Sequence, residues 1–156
     1  MTQMATIILA LGSNLDNKYA NLNKAIAQIE SKIGTITAQS HVLETEPWGF
    51  VSEHNFVNQV IIVKSNLSPT KVLEETKKIE QLLGRTTKSE NGQYANRIID
   101  IDLIDYDGQI VQTDDLQLPH PQMHKRAFVL SPLCEIMPEW QHPILHKTAT
   151  ELNAGL

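Results

Sequence analysis

The sequence predicts an α+β fold with a mostly antiparallel sheet, because segments with the hydrophobic spacing of strands and helices follow one another along its 156 residues. Their order is strand, helix, strand, strand, helix, strand. This order is typical of the ferredoxin-like βαββαβ arrangement, in which two helices pack on one face of the sheet. The length is that of one domain. We therefore expect residues 1–156 to form a single domain, with a C-terminal extension beyond the core.

The first strand and helix are marked by their apolar residues. Thr6–Gly12 is a short apolar run that ends in Gly-Ser-Asn, which predicts a buried strand followed by a turn. Between Lys18 and Ile33, apolar residues recur at the spacing of one helix face, and Gly34 predicts the end of that helix. Thr35–Leu43 is rich in β-branched residues and predicts the second strand.

The next strand and helix follow a predicted loop. Glu44–Phe56 contains a proline and a glycine and few aliphatic residues, which predicts a loop. Val57–Val63 predicts the third strand. Ser68 followed by Pro69 predicts an N-cap and the first helical residue, and Gly84 predicts the end of the second helix.

The last core strand also lies between turn signals. Arg85–Asn96 is polar and predicts an exposed loop, and Ile98–Tyr106 predicts the fourth strand. Asp107-Gly108 predicts a hairpin turn that leads into Gln109–Val111. The C-terminal part combines five prolines with short helical segments, and we expect turns and short helices there.

Composition excludes several classes of function. Thirteen basic and eighteen acidic residues give a net charge of −5, which argues against dedicated binding to nucleic acid or to an anionic membrane. No apolar run approaches the roughly 20 residues of a membrane span, and the N-terminus lacks the pattern of a signal peptide. Cys134 is the single cysteine, which excludes an intrachain disulfide. We expect a cytoplasmic protein.

Two carboxylates on the fourth strand are the strongest candidates for chemistry. Side chains alternate along a strand, so Asp100 and Asp102 share one face, with Cα atoms about 7 Å apart. Such a pair can bind Mg²⁺, which takes one or two carboxylates and completes its shell with phosphate oxygens and water. Arg97 and Arg85 lie nearby in sequence and favour a polyphosphate ligand. The alternatives are a solvated acidic face and ordinary surface ion pairs.

Two further groups of residues have both functional and structural interpretations. His120, His124 and Arg126 could bind zinc or a phosphate, or form a structural polar cluster. Phe56 and Phe128 could flank a flat heterocycle that Asn58 recognises, or they could simply pack in the core. No common nucleotide-binding glycine motif is present.

Taken together, the motifs resemble those of the 6-hydroxymethyl-7,8-dihydropterin pyrophosphokinases, enzymes of folate biosynthesis. The resemblance extends over roughly residues 7–138. It depends on three segments, which are Leu11-Gly12-Ser13-Asn14-Leu15, Arg97-x-x-Asp100-x-Asp102-Leu103 and Pro119-His120-Pro121-x-Met123-x-x-Arg126-x-Phe128.

The resemblance implies a ferredoxin-like fold and an ATP-dependent diphosphotransferase. Mg-ATP would donate its β,γ-diphosphate to the hydroxymethyl group of the pterin and release AMP. Asp100 and Asp102 would hold two Mg²⁺ ions and act in catalysis with Arg85 and Arg97. The nucleotide would contact these two arginines together with Glu80, Tyr94, Leu103, His120 and Arg126. The pterin would contact Thr45, Pro47, Trp48, Phe56, Asn58, Asp100 and Phe128.

The resemblance implies that the partners are ATP and 6-hydroxymethyl-7,8-dihydropterin, with no nucleic acid and no membrane, and we expect a monomer.

Two other functions remain open from the residues alone. A metal-dependent hydrolase or sugar-nucleotide enzyme could use the same Asp-x-Asp pair and would release different products. A non-catalytic ligand sensor of the same fold would bind without turnover.

Overall fold

The computed structural model describes residues 4–15, 17–45, 55–84 and 98–156. The core elements follow the predicted order. They are β1 (Ala5–Ser13), α1 (Lys18–Lys32), β2 (Thr35–Gln39), β3 (Leu43–Thr45), β4 (Phe56–Ser65), α2 (Pro69–Leu82) and β5 (Asp100–Tyr106). The C-terminal extension contains β6 (Val111–Gln112), β7 (Gln117–Leu118), a 3-10 helix (Met123–Lys125), α3 (Ala127–Ile136) and α4 (Ala149–Ala154).

The main sheet has the strand order β2-β4-β1-β5, and β3 also pairs with β4. Every pairing in it is antiparallel. With β2 and β3 taken together as the second core strand, this is the ferredoxin-like topology that the sequence predicted. The central position of β1 explains its uninterrupted apolar sequence, because both of its faces are covered.

Helices cover the two faces of this sheet in pairs. Ile7, Leu9 and Leu11 of β1 belong to a core formed with α1 and α2. Ile8 points to the opposite face and packs in a second core formed with α3 and α4. The C-terminal extension therefore completes the sandwich. Among the described helices, none combines the length and the apolar composition of a membrane span.

The predicted helix boundaries are confirmed. Asn17 caps α1, where its side chain accepts a hydrogen bond from the Ala20 amide. Ser68 caps α2 in the same way, with Pro69 in the first turn. Gly34 is needed for close approach, since a Cβ there would lie 2.1 Å from the Lys64 carbonyl oxygen.

The predicted strand Thr35–Leu43 is wrong as a single element. The structure divides it into β2 and β3, and it also places Glu44 and Thr45 in β3 rather than in the predicted loop. At the break, the Ser40 hydroxyl accepts a hydrogen bond from the Val60 amide, and the Gln59 side chain donates to the Ser40 carbonyl. These side-chain bonds replace part of the regular strand pairing, so the chain can change direction between β2 and β3.

The turn at Asp107 and Gly108 is confirmed, and both residues have positive φ. The hairpin expected beyond it is wrong, however, because β6 pairs with β7 rather than with β5. The edge of β5 is instead approached by the following segment, where the His120 amide donates to the Ile104 carbonyl. The peptide bond between Leu118 and Pro119 in that segment is cis. The hydrogen bond to Ile104 brings His120 to the strand that carries the two aspartates.

Candidate active site

Three neighbouring strands present one row of residues to the face of the sheet that α3 covers. Gly12 of β1 is paired with Asn58 of β4 on one side and with Asp100 of β5 on the other. Paired residues in a sheet point to the same face. A side chain at Gly12 would enter this row, because its Cβ would lie 3.3 Å from Asn58 Oδ1 and 3.6 Å from Phe56 Cδ1. The glycine therefore avoids a side chain that would press on the Asn58 amide.

Asp100 and Asp102 lie on this face, as strand alternation requires. Ile101 and Leu103 between them point to the opposite face and are buried in the core with α1 and α2. Asp102 is about one-third exposed and lies 3.8 Å from the Arg126 guanidinium, which is only 10% exposed. The pair therefore sits at the mouth of the site, beside a largely buried cation.

His120 stands close to the same charges and is neutral at physiological pH. Burial lowers its pKa from 6.5 to about 4; the positive charge of Arg126 acts in the same direction, and the negative charge of Asp100 opposes it. Its Nδ1 accepts a hydrogen bond from the Gln122 amide. The neutral ring therefore carries its proton on Nε2, where it can donate to an anion.

A cavity of about 380 Å³ opens between α2, β5 and residues 114–121, and Asp100, Asp102, Leu103 and His120 all line it. Glu80 of α2 lines it too and is itself buried. The Glu80 carboxylate accepts a 2.7 Å hydrogen bond from the Ile101 amide. The cavity thus begins at the aspartate pair and extends along the edge of β5, and its volume lies in the usual range for small-molecule sites.

The other side of the aspartate pair is lined by the β3–β4 pair and the start of α3. The Asn58 side-chain amide donates a 2.7 Å hydrogen bond to the Thr45 hydroxyl. Phe56 is the strand partner of Thr45. At the start of α3, the Arg126 guanidinium lies 5.6 Å from the centre of the Phe128 ring, within cation–π distance. Arg126 therefore connects the aromatic side of the site with Asp102.

The donor set fits a metal ion that arrives with a phosphate ligand. Across the described parts of the chain, no group of three or more His, Cys, Asp and Glu side chains could hold a metal ion by itself. His124, one of the residues considered for zinc, instead makes an edge-to-face contact with His142, with ring centres 6.0 Å apart. The two aspartates alone match Mg²⁺, which usually keeps waters and takes its other ligands from phosphates.

Residues 8–138 match the family model of 7,8-dihydro-6-hydroxymethylpterin-pyrophosphokinase (HPPK). The chain belongs to this family. HPPK enzymes are diphosphotransferases of folate biosynthesis that use ATP, typically with Mg²⁺, and act on a pterin.

Individual relatives agree with this assignment. A 2-amino-4-hydroxy-6-hydroxymethyldihydropteridine pyrophosphokinase of Porphyromonas gingivalis is 44% identical over 141 residues, which is 90% of this chain and 95% of the relative. The enzyme of the same name from Aquifex aeolicus is 38% identical over 150 residues, covering 96% and 91% of the two chains.

Solved structures support the fold. Wild-type HPPK-DHPS of Plasmodium falciparum superposes with a TM-score of 0.78 at 16% identity, over 99% of this chain. A triple mutant of the same protein gives a TM-score of 0.81 at 17% identity. The HPPK chain described here spans less than half of those longer chains, at 45% and 44%.

The structure brings together ten of the fifteen residues predicted for the site in two adjoining groups. The first surrounds the cavity along β5 and the second faces the β3–β4 pair, with the aspartates and Arg126 between them. The ten are Thr45, Phe56, Asn58, Glu80, Asp100, Asp102, Leu103, His120, Arg126 and Phe128. The other five lie outside the described residues, and they are Pro47, Trp48, Arg85, Tyr94 and Arg97.

Sequence reasoning missed several contributors to this site. Gly12 was predicted to end the first strand at a turn and was part of a segment that supports the family resemblance, but it was given no role in the site, although a side chain there would press on the Asn58 amide. Asp114, Asp115 and Gln117 line the cavity, but nothing in their local sequence indicates this, because a long-range fold contact brings them there. Lys18 contacts the strand ends beside the site. The available signal was its position at the start of a helix, where a lysine is unfavourable.

Proposed function

We propose that this HPPK-family enzyme transfers the β,γ-diphosphate of Mg-ATP to the hydroxymethyl group of 6-hydroxymethyl-7,8-dihydropterin and releases AMP. One observation carries the proposal: Asp100 and Asp102 lie between the cavity along β5 and the face formed by Asn58 and Gly12. A nucleotide in the cavity and a flat alcohol beside Asn58 would meet at these carboxylates.

Mg²⁺ is part of the nucleotide substrate in this proposal. Asp100 and Asp102 would hold two ions, whose remaining ligands come from phosphate oxygens and water. When bound, the ions neutralise phosphate charge and polarise the transferred phosphorus. The protein then contributes mainly positioning and electrostatic stabilisation, as expected for phosphoryl transfer.

Basic and hydrogen-bonding groups near the aspartates would bind the rest of the triphosphate. Arg126 is fixed beside Asp102 and can neutralise a phosphate oxygen. Neutral His120 can donate from Nε2 without adding charge. The family resemblance assigns Arg85 and Arg97 to the phosphates and Tyr94 to the nucleotide.

The hydrophobic and amide groups on the other side would bind the pterin. Phe56 and Phe128 would cover the two faces of the ring, and Asn58 would recognise its edge. Thr45 supports Asn58 through their hydrogen bond. The family resemblance adds Pro47 and Trp48 to this side. Glu80 and Leu103 would border the nucleoside end of ATP, since both line the cavity.

The proposal is tested by mixing the purified protein with Mg-ATP and the pterin alcohol and separating the products by chromatography. We expect AMP and the pterin diphosphate, and no AMP when the alcohol is left out. Formation of inorganic phosphate or ADP in place of AMP would favour the hydrolase or sugar-nucleotide alternative. Pterin or ATP binding without any product would favour the sensor.

Two variants test the role of the aspartates. Asp100→Asn and Asp102→Asn keep the size of the side chain and remove its charge, and we expect each to lower turnover by at least about 100-fold. Asp107→Asn is the matched control, because Asp107 lies just beyond the far end of β5 in a turn with positive φ that asparagine tolerates. Full activity in either test variant would remove the metal assignment.

We also propose that one chain is sufficient for this activity. The described groups of the site, on β1, β3, β4, α2, β5 and the C-terminal extension, all come from the same chain. Light scattering coupled to gel filtration, at concentrations used in the activity assay, should give a mass near 17.5 kDa. A larger mass that falls on dilution together with specific activity would contradict this.

A further inference from the structure

Lys18 occupies a position that is unfavourable for helix stability. It is the first residue of α1, and the first turn of this helix contains no acidic residue. A cation at a helix N-terminus opposes the helix dipole. The Lys18 side chain is also only 24% exposed, whereas most lysines keep their charge in water. Contacts outside the helix must therefore hold it in place.

Those contacts join Lys18 to the ends of two strands. Its Nζ donates a 3.1 Å hydrogen bond to the backbone carbonyl of Asn55, and it lies 3.9 Å from Oε1 of Glu44. Glu44 is half exposed, so the ion pair contributes little. The bond to the carbonyl is partly buried and charge-assisted, and it is therefore the stronger contact.

The two contacted residues directly precede two residues of the candidate site. Asn55 is followed by Phe56, and Glu44 is followed by Thr45. Thr45 and Phe56 are the last pair of the β3–β4 ladder, and β3 has only three residues. A short strand is weakly held by its own ladder, and strand ends open most easily. Lys18 ties this end to α1.

We propose that Lys18 is a positioning residue that holds Thr45 and Phe56 in the geometry that binds the pterin. This inference rests on the proposed function and adds a residue that acts only through its neighbours. Asn58 depends on the same geometry, because its side-chain amide donates to the Thr45 hydroxyl. The aspartates lie on β5, the strand at the opposite edge of the sheet. Loss of the Lys18 contact should therefore weaken pterin binding and leave nucleotide binding unchanged.

The test compares three variants in steady-state assays with each substrate varied in turn. Lys18→Met keeps the apolar stem and removes the donor, and we expect it to raise the KM for the pterin alcohol about tenfold, as for loss of a charge-assisted hydrogen bond. The KM for ATP should stay within about twofold of the wild-type value. Lys18→Arg keeps a cationic donor and should restore most of the pterin affinity. Glu44→Gln removes only the exposed ion pair and should behave like the wild type.

Direct binding of the pterin alcohol and thermal unfolding complete the test. Lys18→Met should weaken pterin binding by a factor similar to the change in KM, with a small change in Tm. An unchanged pterin KM, equal changes in both KM values, or failure of Lys18→Arg to restore affinity would overturn the inference.

Each of these results is obtained with an active wild-type enzyme. They are therefore distinct from failure of the proposed function, in which the wild type itself forms no AMP. If the wild type is inactive, binding of the pterin alcohol still decides, because unchanged affinity in Lys18→Met overturns the inference.

Discussion

Asn58 donates a 2.7 Å hydrogen bond from Nδ2 to the Oγ1 atom of Thr45. The carbonyl oxygen of the same amide lies beside Gly12, 3.3 Å from the point where a Cβ of that residue would be. An amide can present either a donor or an acceptor to a ligand. The hydrogen bond to Thr45 holds the amide in place, and with Nδ2 turned toward Thr45 the Asn58 side chain presents its acceptor to the site.

This relationship predicts a specific effect of removing the Thr45 hydroxyl. Thr45→Val replaces the hydroxyl with a methyl group of similar shape and leaves the Asn58 amide without that partner. We expect the KM for the pterin alcohol to rise about tenfold, in line with loss of one partly buried hydrogen bond. Thr45→Ser keeps the hydroxyl and is the matched control. If the two variants have the same pterin KM, the hydroxyl does not orient Asn58.

A second prediction concerns the missing side chain at Gly12. In Gly12→Ala the new methyl group would lie 3.3 Å from Asn58 Oδ1, which requires a small shift of that amide, and 3.6 Å from the Phe56 ring, which is ordinary van der Waals contact. We expect the pterin KM to rise several-fold and the ATP KM to stay unchanged, because the methyl group points toward the pterin side. Alanine is also accommodated in a strand at least as well as glycine, so Tm should not fall.

Gly155→Ala is the control for this substitution. Its added Cβ would meet only the Glu151 and Leu152 carbonyl oxygens, at 3.6 Å, and it lies at the end of α4. Kinetic constants equal to wild type are expected. If Gly12→Ala also leaves the pterin KM unchanged, the space above Gly12 is not used by the substrate.

The parts of the fold that depend on local sequence could be predicted. The strand β1 is marked by a continuous apolar run, and α2 is marked by Ser68 and Pro69 at its start. The shared face of Asp100 and Asp102 follows from strand periodicity alone. These features require no knowledge of what packs against them, which explains why the sequence was sufficient.

The features that the sequence did not predict depend on contacts between distant residues. The division into β2 and β3 arises from bonds between Ser40 and residues 19 and 20 positions away in β4. The pairing of β6 with β7 leaves the edge of β5 to the segment around His120. The position of Lys18 beside Asn55 likewise joins residues 37 positions apart. None of these pairings has a local pattern.

A third prediction concerns Glu80, whose carboxylate accepts a hydrogen bond from the buried amide of Ile101. Glu80→Ala would leave this amide without its acceptor, which typically costs about 1–3 kcal/mol. We expect a fall of that size in the free energy of unfolding, measured by urea titration. The control is Glu74→Ala on the same helix, where the carboxylate is exposed and pairs with Lys71; its effect should be below about 0.5 kcal/mol. Equal effects of the two variants would show that Glu80 does not stabilise β5.

The fourth prediction is a pH dependence that arises at His120. Burial, aided by Arg126, lowers its pKa in the folded protein to about 4, against 6.5 for an unperturbed histidine. Between these two values the unfolded chain binds a proton at this residue and the folded chain does not. The free energy of unfolding must therefore fall as the pH is lowered from 6.5 toward 4, and this contribution is constant above 6.5.

Replacing His120 with glutamine removes this titrating group. We expect urea titrations at several pH values between about 4.5 and 7.5 to show a smaller fall in the free energy of unfolding with acid in His120→Gln than in the wild type. The two slopes against pH should differ by up to about 1.4 kcal/mol per pH unit. Part of the loss should persist in the variant, because burial also lowers the pKa of His142, which both proteins retain. Identical pH profiles for the two proteins would mean that the folded and unfolded states bind the His120 proton equally, and that this imidazole is not held neutral beside Arg126.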